Sequence, residues 1–125
     1  MYFGMTTEYE QEYFEAYTRD MYRGLGEIVD LGCWLGATTI PLAKGLSQRS
    51  EIEGRKVHAL DLFHWKSWMD PYLSGCHYSY SEGDTFLPEF ISRTQEWSDW
   101  IAVKQTDLQT YRWSGKPIEF CLSTQ

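Results

Sequence analysis

No run of about 18 apolar residues occurs in this chain, so it has no segment long enough to cross a bilayer as a helix. The acidic, aromatic start lacks the basic and apolar regions of a signal peptide. Basic residues are scarce: 11 Lys and Arg stand against 18 Asp and Glu, a net charge of -7, with no basic cluster. That balance argues against a nucleic-acid partner and against an anionic membrane surface. Cysteine is limited to Cys33, Cys76 and Cys121, an odd number without metal-type spacing. His58, His64 and His77 do not supply the missing ligands, so no metal site is expected. Free thiols fit a reducing compartment, and the reading is a cytoplasmic protein. Repeats, low-complexity tracts and linkers are missing too, which leaves one domain over residues 1–125. What is present is core-forming material: 42% of the residues are hydrophobic and 17% aromatic.

The chain opens with a helix within residues 1–25. Thr7 and Glu10 have capping-box spacing, and Tyr9, Tyr13, Tyr17 and Met21 repeat every four residues beside Phe14. That stripe reads as the docking face, and Gly24 and Gly26 end the helix. Ile28, Val29 and Leu31 form a short buried strand closed by Gly32. Pro41 lacks an N–H, which is harmless only in a first turn, so the next helix starts near Thr38 as its N-cap. Val57 to Leu62 make a second strand, with Asp61 near its end. Asp84 or Thr85 caps a helix carrying Phe86, Phe90, Ile91, Thr94 and Trp97 along one side. Trp100 to Val103 form a third strand, followed by Asp107, and Lys116 to Leu122 a fourth. Strands alternating with helices imply parallel β-α-β units, hence an α/β fold with a doubly wound, Rossmann-like sheet of about four strands.

Ligands of such sheets sit beyond the carboxyl ends of the strands. Gly32, Asp61 and Asp107 all fall there. Glycine at 32 and 36 lets a ligand approach the backbone, and the following helix N-terminus offers N–H groups to an anion. Asp61 stands at a distance from Gly36 that suits an acceptor for both ribose hydroxyls. A dinucleotide fingerprint needs glycine two residues after the first, yet that position holds Trp34. No Gly-Lys-Ser/Thr follows, so a Walker loop is excluded as well. The pattern suits a nucleoside with a small zwitterionic tail, as in S-adenosylmethionine (SAM).

D-L-G-C-W-L-G-A-T-T, then H-A-L-D-L-F, then V-K-Q-T-D-L, resembles the three successive motifs of class I SAM-dependent methyltransferases. More narrowly, the chain is similar to the small bacterial macrocin O-methyltransferase-like group, over nearly everything after the first helix. The resemblance assigns Asp30, Gly32 and Gly36 to the first motif, Cys33 and Trp34 to its loop, and Thr38 to the methionine carboxylate. It makes Asp61 the ribose acceptor and Asp107 the adenine acceptor. From the residues alone, Asp30 is equally a loop-ordering acceptor, Thr38 a cap and Asp107 a turn residue.

Members of that family continue through three more strands, and their fourth strand typically ends in an acid serving catalysis or a metal. Here it reads Ile118 to Ser123, with serine or threonine where the acid is expected. The reading is therefore a cofactor-binding half-fold over 26–125, a truncated product or fragment, self-associating through its fourth-strand edge. The aromatic insert 64–83 is a lid over the acceptor or a packed surface loop. His64 is placed to act as general base, although a lone histidine is more often structural. Two functions follow: an O-directed methyltransferase acting on a small-molecule acceptor, or a non-catalytic adenosine-binding half-domain serving as an oligomeric scaffold.

Overall fold

The computed structural model describes residues 6–123. Four parallel strands, β1 (Glu27–Leu31), β2 (Val57–Asp61), β3 (Ile101–Gln105) and β4 (Ile118–Ser123), form one sheet in the order β3-β2-β1-β4. Around it lie the helices α1 (Glu8–Ala16), α2 (Thr39–Leu46) and α3 (Leu87–Thr94). The chain is thus α/β with a partial Rossmann-like sheet, as the alternation of patterns requires.

Register decides what each face carries. Ile28 lies opposite both Val57 and Phe120, and Val57 lies opposite Ile101, so these four share a face. Phe14, Leu42, Ala43 and Leu46 from α1 and α2 pack on that row, and Phe90 of α3 joins Ala59 farther along the same face. The opposite face, with His58 and Lys104, is crossed by the helix-free segment 106–117. Trp113 meets His58 edge-on at 5.5 Å, and Lys104 sits 5.9 Å above the Tyr111 ring.

The capping box forms in full: Glu10 N–H donates to Thr7 Oγ1 at 3.1 Å, and Thr7 N–H donates to Glu10 Oε1 at 3.1 Å. The four-residue aromatic stripe, however, is not the docking face. Tyr9 is 81% exposed, and Tyr13 and Met21 are also outside. Gln11, Phe14, Thr18 and Tyr22 face inward instead, with a π-helical turn over Tyr17–Met21 continuing α1. The cause is Gly45 on α2, where a Cβ would overlap Thr18 Oγ1 and the Glu15 carbonyl. The two helices meet backbone to backbone, so α1 presents its small and polar side there. Of the stripe, Tyr17 packs against the core, its ring tilted by 31° to that of Phe120 at 4.6 Å.

Other boundaries shift for local reasons. Pro41 does fall in the first turn of α2, but the Thr38 hydroxyl does not cap that helix. The N-cap position of α3 falls on Phe86 rather than Asp84 or Thr85, with Pro88 in the first turn, although the Thr85 hydroxyl accepts from the Leu87 N–H at 3.3 Å. It stops at Thr94, short of Trp97, because a 3-10 turn over Gln95–Trp100 breaks it before β3 begins at Ile101.

Candidate functional site

The residues singled out by the strand ends converge on a cleft of about 700 Å³ at the carboxyl edge of the sheet. Gly32, Cys33, Trp34 and Thr38 from the loop after β1, Asp61 from β2, and Asp107 after β3 all line it, as does His64. The opposite wall comes from elsewhere: Glu10 and Phe14 of α1, Leu122 of β4, and Lys66, Trp68 and Met69 of the insert. The insert's share of this wall falls within the aromatic stretch 64–83, whereas the shares of α1 and β4 gave no local signal, because they lie far apart in the sequence.

Asp61 holds the centre. Its Oδ2 accepts from the Trp34 N–H at 2.9 Å and its Oδ1 from the Phe63 N–H at 2.7 Å. Trp34 and Phe63 are the non-glycine residues with positive φ among those described, at 47° and 57°. Such left-handed conformations cost on the order of 1–3 kcal/mol each, so the charged acceptor offsets strain at both turns. The Trp34 N–H is committed to Asp61, so it is not free to meet a phosphate.

Asp30 and Gly36 lie behind the cleft and do not line it. Asp30 is 0% exposed, and its Oδ2 accepts from the hydroxyls of Thr38 at 2.8 Å and Thr39 at 2.7 Å. Its Oδ1 has no hydrogen-bond partner among the described residues. Burial pushes the carboxyl up to about 6; the Thr39 and Thr38 hydroxyls pull it down, and the Asp61 charge adds a further upward push. Asp30 thus orders the loop, and Thr38 serves it rather than the helix end. Gly36, at φ +93°, faces α3: a Cβ there would lie 3.2 Å from Thr94 Cγ2 and 3.5 Å from Phe90. Its lack of a side chain admits α3 rather than a ligand.

Cys33 is buried in the cleft wall, and burial together with the Asp30 and Asp61 charges drives its thiol well up, so it is a neutral packing group. Asp107 is exposed; its Oδ1 accepts from the Gln109 N–H at 2.9 Å, so it shapes a turn while facing the cleft. His64 is exposed on the rim, its backbone bridged to Thr85, with no side-chain hydrogen bond orienting its ring among the described residues.

The insert divides into two parts. Trp65 is fully buried and stacked on Tyr80 at 5.3 Å, so this part is core. Beside it, 3-10 turns over Ser67–Gly75 bring Trp68, Met69 and Tyr72 against Trp34. The Trp34 indole N–H donates to Met69 Sδ at 3.2 Å, and Tyr72 meets its ring edge-on at 4.9 Å. Glu89, fully buried on α3, closes the far end of the insert. It accepts from the His77 N–H at 2.9 Å, from His77 Nδ1 at 2.8 Å and from Arg93 Nε at 3.0 Å. Burial raises its carboxyl, but the His77 and Arg93 hydrogen bonds outweigh it and leave Glu89 below its ordinary range. The Glu89–Arg93 spacing of four on one helix was the available signal for this cluster.

Among the described residues no group of three His, Cys, Asp or Glu side chains is placed to hold a metal ion, and no helix is long and apolar enough to cross a membrane. Compared with known proteins, the sequence matches no family model and no curated protein. The functional reading therefore rests on the cleft itself.

Proposed function

We propose that the cleft binds S-adenosylmethionine and that the chain is a SAM-dependent methyltransferase, O-directed on a small-molecule acceptor. One observation carries the reading: Asp61 and Asp107, from the ends of adjacent strands, face one cleft beside the Gly32 turn. A volume of about 700 Å³ suits a nucleoside with a short tail plus part of an acceptor. Asp61 and Asp107 are the acceptors for ribose hydroxyls and an adenine amino group. Asp30 does not line the cleft; it orders the Gly32 loop from behind through the Thr38 and Thr39 hydroxyls. The bound sulfonium would supply an activated methyl group. The chain's part is to hold an acceptor oxygen in line with it, exclude water with the Trp34 and Met69 wall, and take the oxygen's proton at His64 Nδ1 or Nε2.

A second reading has its own support. Among the described residues Leu122 is what β4 brings to the cleft, with no carboxylate from that strand, and β4 is an outer strand of the four-stranded sheet. A non-catalytic adenosine-binding domain, self-associating through that edge, fits this arrangement. In either reading the partners include no nucleic acid, given the net charge of -7, and the three free cysteines suit the cytoplasm.

Calorimetric titration with SAM, S-adenosylhomocysteine and NAD tests the site: the first two should bind more tightly than NAD, whose pyrophosphate would meet Trp34. Tighter NAD binding overturns the assignment. Transfer of labelled methyl from SAM to a pool of small metabolites then separates the enzyme from the binding domain, and light scattering reports self-association.

A further inference from the structure

Asp61 has both oxygens committed to backbone N–H groups before any ligand arrives, and this points to a role in the fold of the cleft as well as in binding. The Trp34 turn and the Phe63 turn are left-handed, a conformation that costs a Cβ-bearing residue free energy. Each has its N–H on one oxygen of the same carboxylate. From Phe63 the link runs inward: its carbonyl accepts from the Phe86 N–H at 2.7 Å, and its ring packs on Phe86 and Phe90. From Trp34 it runs outward to the insert, through the indole N–H on Met69 Sδ and the ring contacts with Tyr72 and Trp68.

We propose that Asp61 is the positioning residue of the cleft, holding the insert wall at Ser67–Gly75 in place through Trp34 without touching it. The inner turn is anchored by buried aromatic packing and survives the loss of one hydrogen bond. The outer turn is buried on its flanks by Cys33 and Leu35, but Trp34 at its tip is only half-buried and Trp68 is exposed. The 3-10 turns beyond are tied at Ser67 to Glu82, at Asp70 to the Trp65 indole and at Gly75 to Arg93, and Trp34 on Met69 joins them to the loop. Release of the Trp34 N–H therefore lets that residue relax toward negative φ. The indole then swings off Met69, and the wall loosens while the sheet stays intact. A ligand that donates to Asp61 draws on the same two oxygens, which ties occupancy of the cleft to order in its wall. The positioning role concerns the ligand-free chain and stands or falls apart from the cofactor assignment.

Hydrogen exchange on the ligand-free protein tests it. In Asp61→Asn, one acceptor oxygen remains and the second becomes a donor, so at least one turn loses its bond. The expected result is about tenfold or faster exchange confined to residues 32–36 and 66–76, with β1, β2 and α2 amides unchanged. Trp34→Phe removes the indole donor but keeps the backbone bond to Asp61; it should speed exchange in 66–76 and leave 32–36 protected. The double variant should loosen the insert no further than Asp61→Asn alone. Uniform loss of protection across the sheet in Asp61→Asn would make Asp61 a general stability residue and overturn the proposal. Unchanged protection of 66–76 in Trp34→Phe would do the same, and that variant decides the matter if Asp61→Asn does not fold.

Discussion

Asp30→Asn should remove a pH dependence of stability that the wild-type chain carries between about pH 4 and 6. Asp30 sits fully buried on β1, with two hydroxyl donors on one oxygen and none on the other. Its carboxyl is pushed from 3.8 to about 6. The folded chain therefore keeps this proton over a range where the unfolded chain has released it. The resulting stability is complete below the unfolded value of 3.8 and is lost as pH rises through about 6. A shift of roughly two units corresponds to about 3 kcal/mol, a large part of the 5–15 kcal/mol that holds a typical domain. Asparagine keeps an oxygen for Thr38 and Thr39 and carries no charge, but its amide nitrogen takes the orphan position and costs about 1 kcal/mol. The variant should thus be more stable than wild type by about 2 kcal/mol at pH 7.5 and less stable by about 1 kcal/mol at pH 4. Urea unfolding of both proteins at half-unit steps from pH 4 to 7.5 gives the difference curve, in which groups common to both cancel. A flat difference curve would refute the reasoning, for it would mean that Asp30 titrates alike in the folded and unfolded chain.

Glu89 predicts the opposite sign, because its carboxyl is held down: its stabilisation is present above the ordinary carboxylate value and is lost as pH falls through the lower folded value. Glu89→Gln leaves Arg93 without its buried ionic partner and should cost about 3 kcal/mol in urea unfolding at pH 7; a loss under about 1 kcal/mol would show that the cluster is not a unit. Gly45→Ala should gain nothing from helix propensity, since the added methyl overlaps Thr18 Oγ1 and the Glu15 carbonyl; thermal unfolding should show a loss of about 2 kcal/mol, and a raised midpoint would contradict the close helix contact. Asp61→Ala should weaken an adenosine ligand by about 1.5–3 kcal/mol and the more exposed Asp107→Ala by less, as read by calorimetry; an unchanged dissociation constant for Asp61→Ala would remove it from the site.

Much of this fold was legible in the residues. The capping box of Thr7 and Glu10, the alternation of apolar strands with helical patterns, the place of Pro41 in a first turn, and Gly32, Asp61 and Asp107 at strand ends are local properties, set by backbone sterics and hydrogen-bonding chemistry within a few positions. The tertiary structure decided what those residues face. Tyr9 and Tyr13 keep helical spacing yet point outward, because Gly45, some thirty residues on, draws α2 so near that only Gln11, Thr18 and their neighbours fit between. Gly36 sits in a motif that reads as a ligand loop, and its bare Cα admits Thr94 and Phe90 instead. Asp30 and Asp61 are both acids at strand ends. One is sealed under two threonines with an orphan oxygen, while the other spends both oxygens on strained turns before meeting any ligand. Spacing along a chain places a carboxylate at the edge of a sheet, but its burial, partners and proton affinity come from segments that only the packed fold brings beside it.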